Sequence, residues 1–200
     1  MAKLCEANGV LIVSDEIHCD LLRTGVTHSP LSKLVPDNDR IITAMSASKT
    51  FNLAGLSFAI VIIANPDLRT QWNDYNLAVQ NPVSIEGTIG AFRDGQQWHQ
   101  DLTTYLDANF AYLAERLSAE LPNAQFAIPD ATYLAWIDLN AYFPADTSLT
   151  RYFAEAEGLL VEGGEMFVAD GDGHVRMNLA CPRAVLADGI DSLVRATLNR

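Results

Sequence analysis

Three short, largely apolar runs without regular polar alternation constrain the fold of this chain more than any other feature. They have the sequences VLIVS at residues 10–14, RIITAM at residues 40–45 and FAIVIIA at residues 58–64. Such runs are typical of strands that are buried on both faces of a sheet. Helical patterns follow at residues 66–79, 83–94 and 98–121. The first half is therefore predicted to be α/β, with a sheet covered on both faces.

The second half has a different pattern, in which shorter strands mix with helices. Strands are predicted at residues 124–128, 133–139, 159–161 and 174–179, and helices at residues 149–157 and 183–198. This mixture predicts an α+β unit. The boundary is placed inside the long helical pattern, which gives two domains, residues 1–100 and residues 101–200.

Charge and cysteine content exclude several classes of partner. The formal net charge of the 200 residues is -12, which disfavours nucleic acid and anionic membrane surfaces. Three cysteines give no disulfide framework, so a reducing, cytoplasmic setting is expected. No apolar run approaches the ~20 residues that span a bilayer. His18 and Cys19 have no second ligand pair at zinc spacing, so no metal site is predicted.

Two charged side chains follow neighbouring predicted strands. Asp15 ends the first apolar run, and the sequence Ser46-Ala47-Ser48-Lys49 follows the second. Because ligands bind at the carboxyl ends of strands in open α/β sheets, both are expected to face one crevice. A carboxylate for a pyridinium nitrogen and a lysine for a Schiff base are the two protein groups that pyridoxal phosphate requires. Taken alone, Asp15 is equally consistent with a solvated acid at a strand end, and Lys49 is more typical of a surface lysine in a polar turn.

Two further residue types suit the same chemistry. Ser46 and its neighbour Ser48 carry hydroxyls that are able to donate hydrogen bonds to a phosphate. Arg176, in the strand-like sequence VRMNL, has a side chain that binds carboxylates in two-point fashion. An amino-acid substrate carries such a carboxylate, although an ordinary surface arginine has the same sequence signal.

Four segments in this order, VSDEIHCDL, SASKTFNLAGL, TYLAWIDL and VRMNLACPR, resemble the fold-type I pyridoxal-phosphate enzymes. The closer resemblance is to the MalY/PatB group of cystathionine β-lyase-like C–S lyases, relatives of the class I/II aminotransferases. It covers essentially the whole chain. It implies that residues 1–100 are the C-terminal half of the large cofactor domain and that residues 101–200 are the small domain.

The resemblance also implies a role for each candidate residue. Lys49 forms the Schiff base and moves the α-proton, and Asp15 pairs with the pyridinium nitrogen. His18 lies where related enzymes carry a tyrosine that contacts the phenolic oxygen of the ring. Ser46 binds the cofactor phosphate, and Arg176 binds the substrate carboxylate. Many relatives carry a phosphate-binding arginine eight residues after the lysine, where this sequence has Ser57.

The chain is expected to be the C-terminal piece of a longer protein, because residues 1–8 have the pattern of the last turns of a helix stopped by Gly9. Three functions follow. The first is a pyridoxal-phosphate C–S β-lyase that releases a thiol, pyruvate and ammonia from a cystathionine-like substrate. The second is an aminotransferase acting on amino acids. The third is an inactive fragment without cofactor. A homodimer is expected for the full-length form.

Overall fold

The computed structural model describes residues 1–76, 79–167 and 171–200. Contacts divide the chain into two compact units, Met1–Leu102 and Thr103–Arg200, which are described separately below. The helices are α1 Ala2–Ala7, α2 Leu31–Leu34, α3 Pro66–Tyr75, α4 Pro82–Asp94, α5 Gln96–Glu120, α6 Leu149–Glu157 and α7 Arg183–Leu198. The strands are β1 Ile12–Asp15, β2 Ile41–Met45, β3 Ile60–Ile63, β4 Gln125–Phe126, β5 Leu134–Asp138, β6 Glu162–Gly163 and β7 His174–Asn178.

Three helices of the first unit, α1, α3 and α4, have recognisable capping chemistry at one end. Helix α1 ends at Asn8 and is followed by Gly9 with a φ of 66°, a left-handed conformation that glycine adopts without steric cost. Asn65 and Asn81 cap α3 and α4 with side-chain oxygens that accept backbone N–H groups, and a proline follows each. Residues 77 and 78 of the helix predicted over 66–79 lie outside the described residues.

The sheet of the first unit has, among the described residues, the order β1-β2-β3. Strands β1 and β2 are parallel, and Asp15 is the register partner of Ala44. Strand β3 runs antiparallel to β2. All three apolar runs therefore form neighbouring strands, as the sequence predicts.

The prediction that both faces of this sheet are covered is wrong for the described residues. Val13 is 66% exposed on one face. Ile62 is 52% exposed on the opposite face. Val13 pairs with Ile42 and Ile62 pairs with Thr43. Ile42 and Thr43 are consecutive residues of β2, so they point to opposite faces of the sheet. An apolar run shows that a strand is suited to burial, but the covering layer comes from other elements, which the run does not specify.

The second unit is built on a sheet that has, in the described part of the chain, the order β4-β5-β7-β6 and antiparallel pairing throughout. One face carries the core, which includes Ile137, Val175, Phe110 and Phe153, each with no exposed surface. The opposite face carries Trp136 and Arg176, which are register partners. The sheet therefore has one buried face and one face open to other groups.

Helices α6 and α7 have the predicted bounds, but the strand predicted at residues 159–161 is wrong. The strand β6 lies at Glu162–Gly163, and Leu160 is 85% exposed. The apolar residues after Gly158 therefore do not mark buried strand. The position of β6 is set by its pairing with Arg176 and Val175 of β7. The local sequence does not encode this pairing. Within the described residues no helix is both long enough and apolar enough to span a bilayer.

Candidate active site

The candidate site is the edge of the first sheet where β1 and β2 end. Asp15 is the last residue of β1, and Met45, the last residue of β2, precedes Ser46. The two ends stay paired beyond Asp15, because the N–H of Glu16 donates to the carbonyl of Ala44 at 2.8 Å. Parallel pairing therefore places Asp15 and the segment carrying Lys49 at the same edge.

The segment after β2 is a turn closed by Ser46. The buried Ser46 hydroxyl donates to the carbonyl of Phe58 at 2.7 Å and accepts the N–H of Ser48 at 3.0 Å. A hydroxyl has one proton, so the Ser46 proton is already used within the protein. Phosphate binding by this hydroxyl requires release of Phe58. The half-buried Ser48 lies in the same turn and offers a second hydroxyl.

Lys49 lies in this turn as an exposed residue between the half-buried Ser48 and the buried Thr50, which is 1% exposed. The Thr50 hydroxyl oxygen is buried and has no hydrogen-bond partner among the described residues. Asn52 and Ser57 follow with φ values of 55° and 49°. Left-handed backbone at such residues costs about 1–3 kcal/mol and is concentrated at active sites and ligand clamps. The turn that carries Lys49 is therefore held in an unusual backbone conformation.

Asp15 and His18 lie in the turn after β1. Asp15 is exposed, and its Oδ1 accepts the N–H of Ile17 at 3.1 Å. His18 is half-buried, and its carbonyl accepts the N–H of Leu21 at 3.0 Å. The Asp15 carboxylate is thus available to a ligand at the strand end, while the His18 ring lies partly inside the unit.

Glu16 fixes the loop that carries these residues. Its carboxylate is 8% exposed and accepts hydrogen bonds from Ser14 Oγ at 2.9 Å, His28 Nε2 at 2.7 Å and the N–H of Leu31 at 3.1 Å. Burial opposes ionisation of Glu16, but the hydrogen bonds, that from His28 above all, outweigh burial and lower its pKa. The charged Glu16 therefore joins β1 to residues 28–31.

Arg176 belongs to the second unit, so it is described by its own neighbours. It is half-buried on β7, and its Nε donates to Oε2 of Glu162 at 2.5 Å. Its Cζ lies 4.8 Å from the centre of the Phe167 ring. Tyr133 lies close enough that the positive charge of Arg176 partly offsets the burial that raises the tyrosine pKa. Arg176 is therefore engaged by an internal carboxylate and an aromatic face.

Clusters of potential metal ligands are absent from the residues that the structure describes. No group of three or more His, Cys, Asp or Glu side chains there has the geometry of a metal site. Burial, and then the negative charges of Asp20 and Glu16, raise the pKa of Cys19 to about 11. The thiol of Cys19 is therefore protonated at neutral pH.

Sequence reasoning missed four residues of these surroundings: Glu16, His28, Thr50 and Glu162. Glu16 lies beside Asp15 in a motif that the sequence singled out, so its position was a usable signal. Glu16 is bonded to His28, 12 residues away along the chain, and Arg176 to Glu162, 14 residues away. Local sequence carries no signal for contacts at that separation.

These observations agree with comparison to known proteins. The model of the aminotransferase class I and II family matches residues 1–193. The chain belongs to this family, which confirms the resemblance and the predicted α/β fold class.

Among the relatives, MalY of Escherichia coli is 33% identical over 98% of this chain and 51% of its own length. Cystathionine beta-lyase PatB of Bacillus subtilis is 34% identical over 95% of this chain and 50% of its own length. The structure of a PLP-bound C–S lyase from Staphylococcus hominis has a TM-score of 0.94 and 44% identity, covering 98% of this chain and 51% of the lyase. The chain thus spans about half the length of the relatives it matches.

Proposed function

We propose that this chain is part of a pyridoxal-phosphate-dependent C–S β-lyase. The observation that carries the proposal is the parallel pairing of β1 and β2, which brings Asp15 and the Lys49 turn to one sheet edge. The relatives named cystathionine beta-lyase and C–S lyase support the reaction class. The domain assignment accompanies it: residues 1–100 as the C-terminal half of the cofactor domain and residues 101–200 as the small domain.

The residues present fit pyridoxal phosphate by their chemistry. Asp15 offers an exposed carboxylate and Lys49 an exposed amine, and the hydroxyls of Ser46, Ser48 and Thr50 lie in the lysine turn. The unpartnered, buried Thr50 hydroxyl is a polar group that the protein itself leaves unsatisfied. When bound, the cofactor supplies an electron sink for the carbanion formed at the substrate α-carbon.

Each proposed role follows from the group that the side chain presents. Asp15 keeps a proton on the pyridine nitrogen, because a nearby carboxylate stabilises the protonated form. Lys49 would hold the cofactor through Nζ and would take the proton from the substrate α-carbon. His18 is proposed to contact the phenolic oxygen and Ser46 the phosphate. Arg176 is proposed to bind the substrate carboxylate.

The first experiment measures cofactor attachment by the purified 200-residue chain. We expect borohydride reduction in the presence of pyridoxal phosphate to give a single adduct, mapped to Lys49 by mass spectrometry. Lys49→Ala should lose the adduct, and Asp15→Ala should weaken it. The matched control is Lys33→Ala, since Lys33 is also exposed but lies on α2. Labelling scattered over surface lysines would support the inactive-fragment alternative instead.

The second experiment separates elimination from amino transfer. A lyase releases pyruvate from cystathionine without a keto-acid acceptor, whereas an aminotransferase requires the acceptor. Pyruvate release that is lost in Lys49→Ala supports the proposal. Product formation that depends on an added keto acid would assign the chain to the aminotransferase alternative, which the family match also accommodates.

Partners and location belong to the same proposal. A small amino acid is the proposed substrate, and a homodimer is the proposed assembly of the full-length form. Size-exclusion chromatography with light scattering tests the assembly directly. A cytoplasmic location is proposed from the three cysteines, all of which are free in the structure.

A further inference from the structure

The guanidinium of Arg176 is already paired with a carboxylate of the same protein. Its Nε donates to Oε2 of Glu162, and its Nη2 forms an ion pair with the same oxygen. The two residues are register partners on the neighbouring antiparallel strands β7 and β6, so the backbone holds them side by side. The pair is an intrinsic feature of the sheet rather than a chance encounter of long side chains.

The surroundings of the pair hold the guanidinium in place while leaving it accessible. The Phe167 ring lies 4.8 Å from Arg176 Cζ, and Trp136 packs edge-on against Phe167 at 5.4 Å. The side chains of Arg176 and Glu162 are 32% and 44% exposed. A dissolved carboxylate is therefore able to reach the guanidinium without unfolding of the sheet.

An arginine that is paired along its Nε–Nη2 edge cannot present that edge to a second carboxylate. We propose that Glu162 occupies the Nε–Nη2 edge of Arg176 as a stand-in for the substrate carboxylate and competes with it for that edge when an amino acid binds. Glu162 thus acts as a specificity-determining residue that weakens carboxylate binding at Arg176. This inference rests on the proposed function, in which Arg176 binds the substrate carboxylate.

The size of the effect follows from the exposure of the pair. Ion pairs this exposed contribute little, because water screens them and the side chains lose freedom. Removing the Glu162 charge is therefore expected to strengthen carboxylate binding by about two- to five-fold. In the cofactor-loaded enzyme the same change should lower KM by this factor and leave kcat unchanged, since Glu162 acts on binding alone.

The test titrates the chain with sodium acetate and follows two NMR resonances, those of Arg176 Nε and of the Phe167 backbone amide, with sodium chloride at matched ionic strength as reference. The Phe167 amide is the readout for Arg176→Ala, which lacks Nε. The variants are Glu162→Gln and Glu162→Ala. Glu157→Gln is the matched control, because it removes the same charge from another ion pair of this unit, that with Arg195 at 2.8 Å. Arg176→Ala shows how much acetate binding depends on this arginine.

Tighter acetate binding in both Glu162 variants, with Glu157→Gln unchanged, would support the inference. Unchanged or weaker binding in the Glu162 variants would overturn it, and weaker binding would make Glu162 a residue that orients Arg176. Arg176→Ala is introduced both into the wild-type chain and into the Glu162→Gln variant. If acetate binding is unchanged in both cases, the proposed role of Arg176 fails as well. If acetate binding depends on Arg176 but is not tighter in the Glu162 variants, only the inference about Glu162 is overturned.

Discussion

Replacing Glu16 by glutamine tests whether one buried carboxylate holds the loop that follows Asp15. The carboxylate accepts three hydrogen bonds, from Ser14, His28 and the backbone of Leu31. Glutamine has nearly the same shape but only one acceptor oxygen and no charge, so its NH2 group replaces one carboxylate oxygen and the charge-assisted bonds are lost. The substitution therefore removes charge and bonding without creating a cavity.

The expected cost follows from the burial of the group. Hydrogen bonds to a charged partner contribute about 1.5–3 kcal/mol, and a buried donor left without an acceptor adds a desolvation penalty. The Glu16 side chain is 8% exposed, so water does not replace the lost bonds. We expect Glu16→Gln to destabilise the loop by about 1.5–3 kcal/mol at neutral pH.

The same contacts give a pH dependence with a defined sign. The pKa of Glu16 is lower in the folded chain than in the unfolded chain, so its stabilisation is complete above the ordinary glutamate pKa of about 4.3. It is lost as the pH falls through the lower, folded pKa. The Glu16→Gln chain should lack this component of acid sensitivity.

Hydrogen exchange of the Leu31 amide and urea unfolding at pH 7 provide the assays. The loss of 1.5–3 kcal/mol corresponds to roughly ten- to a hundred-fold faster exchange of Leu31. Glu6→Gln is the control, since Glu6 is exposed on α1 of the same unit. Unchanged Leu31 protection together with an unchanged urea midpoint would refute the reasoning.

Three further predictions concern stability and are read from urea unfolding midpoints. Phe110→Ala, at a position with no exposed surface, should cost about 3–5 kcal/mol in the second unit. Thr50→Val should be neutral or stabilising, because the Thr50 hydroxyl has no hydrogen-bond partner among the described residues. The matched change Thr197→Val should cost about 1 kcal/mol, because it removes the 2.7 Å hydrogen bond to the Leu193 carbonyl. Gly158→Ala should cost about 1 kcal/mol, because the φ of 65° at this helix end disfavours a side chain.

The elements with strong local signals could be predicted from the sequence. The long helix predicted over residues 98–121 is α5, Gln96–Glu120, because its apolar residues recur at helical spacing. The closing helix has the predicted bounds, since Pro182 precedes its first residue and the pattern runs unbroken to Leu198. The strand at residues 162–163 could not be predicted, because two residues paired to β7 leave no periodic pattern.

The candidate site divides in the same way. The positions of Asp15 and Lys49 follow from strand ends, which apolar runs mark in the sequence. The surroundings of Arg176 could not be predicted in this way, because Glu162 contacts it through cross-strand register and Phe167 through packing. The internal bonding of Ser46 was equally hidden, since its acceptor, the Phe58 carbonyl, lies 12 residues further along the chain.

Strand direction explains why the candidate groups of the first unit follow β1 and β2 rather than β3. Strands β1 and β2 are parallel, so their carboxyl ends share one edge, and β3 is antiparallel, so its amino end lies at that edge. The hydrogen bond from Ser46 to Phe58 ties the start of β3 to the Lys49 turn. Strand β3 therefore contributes a backbone anchor to the site in place of a chemical group. This anchor closes the loop of residues 46–58, in which the left-handed residues Asn52 and Ser57 lie.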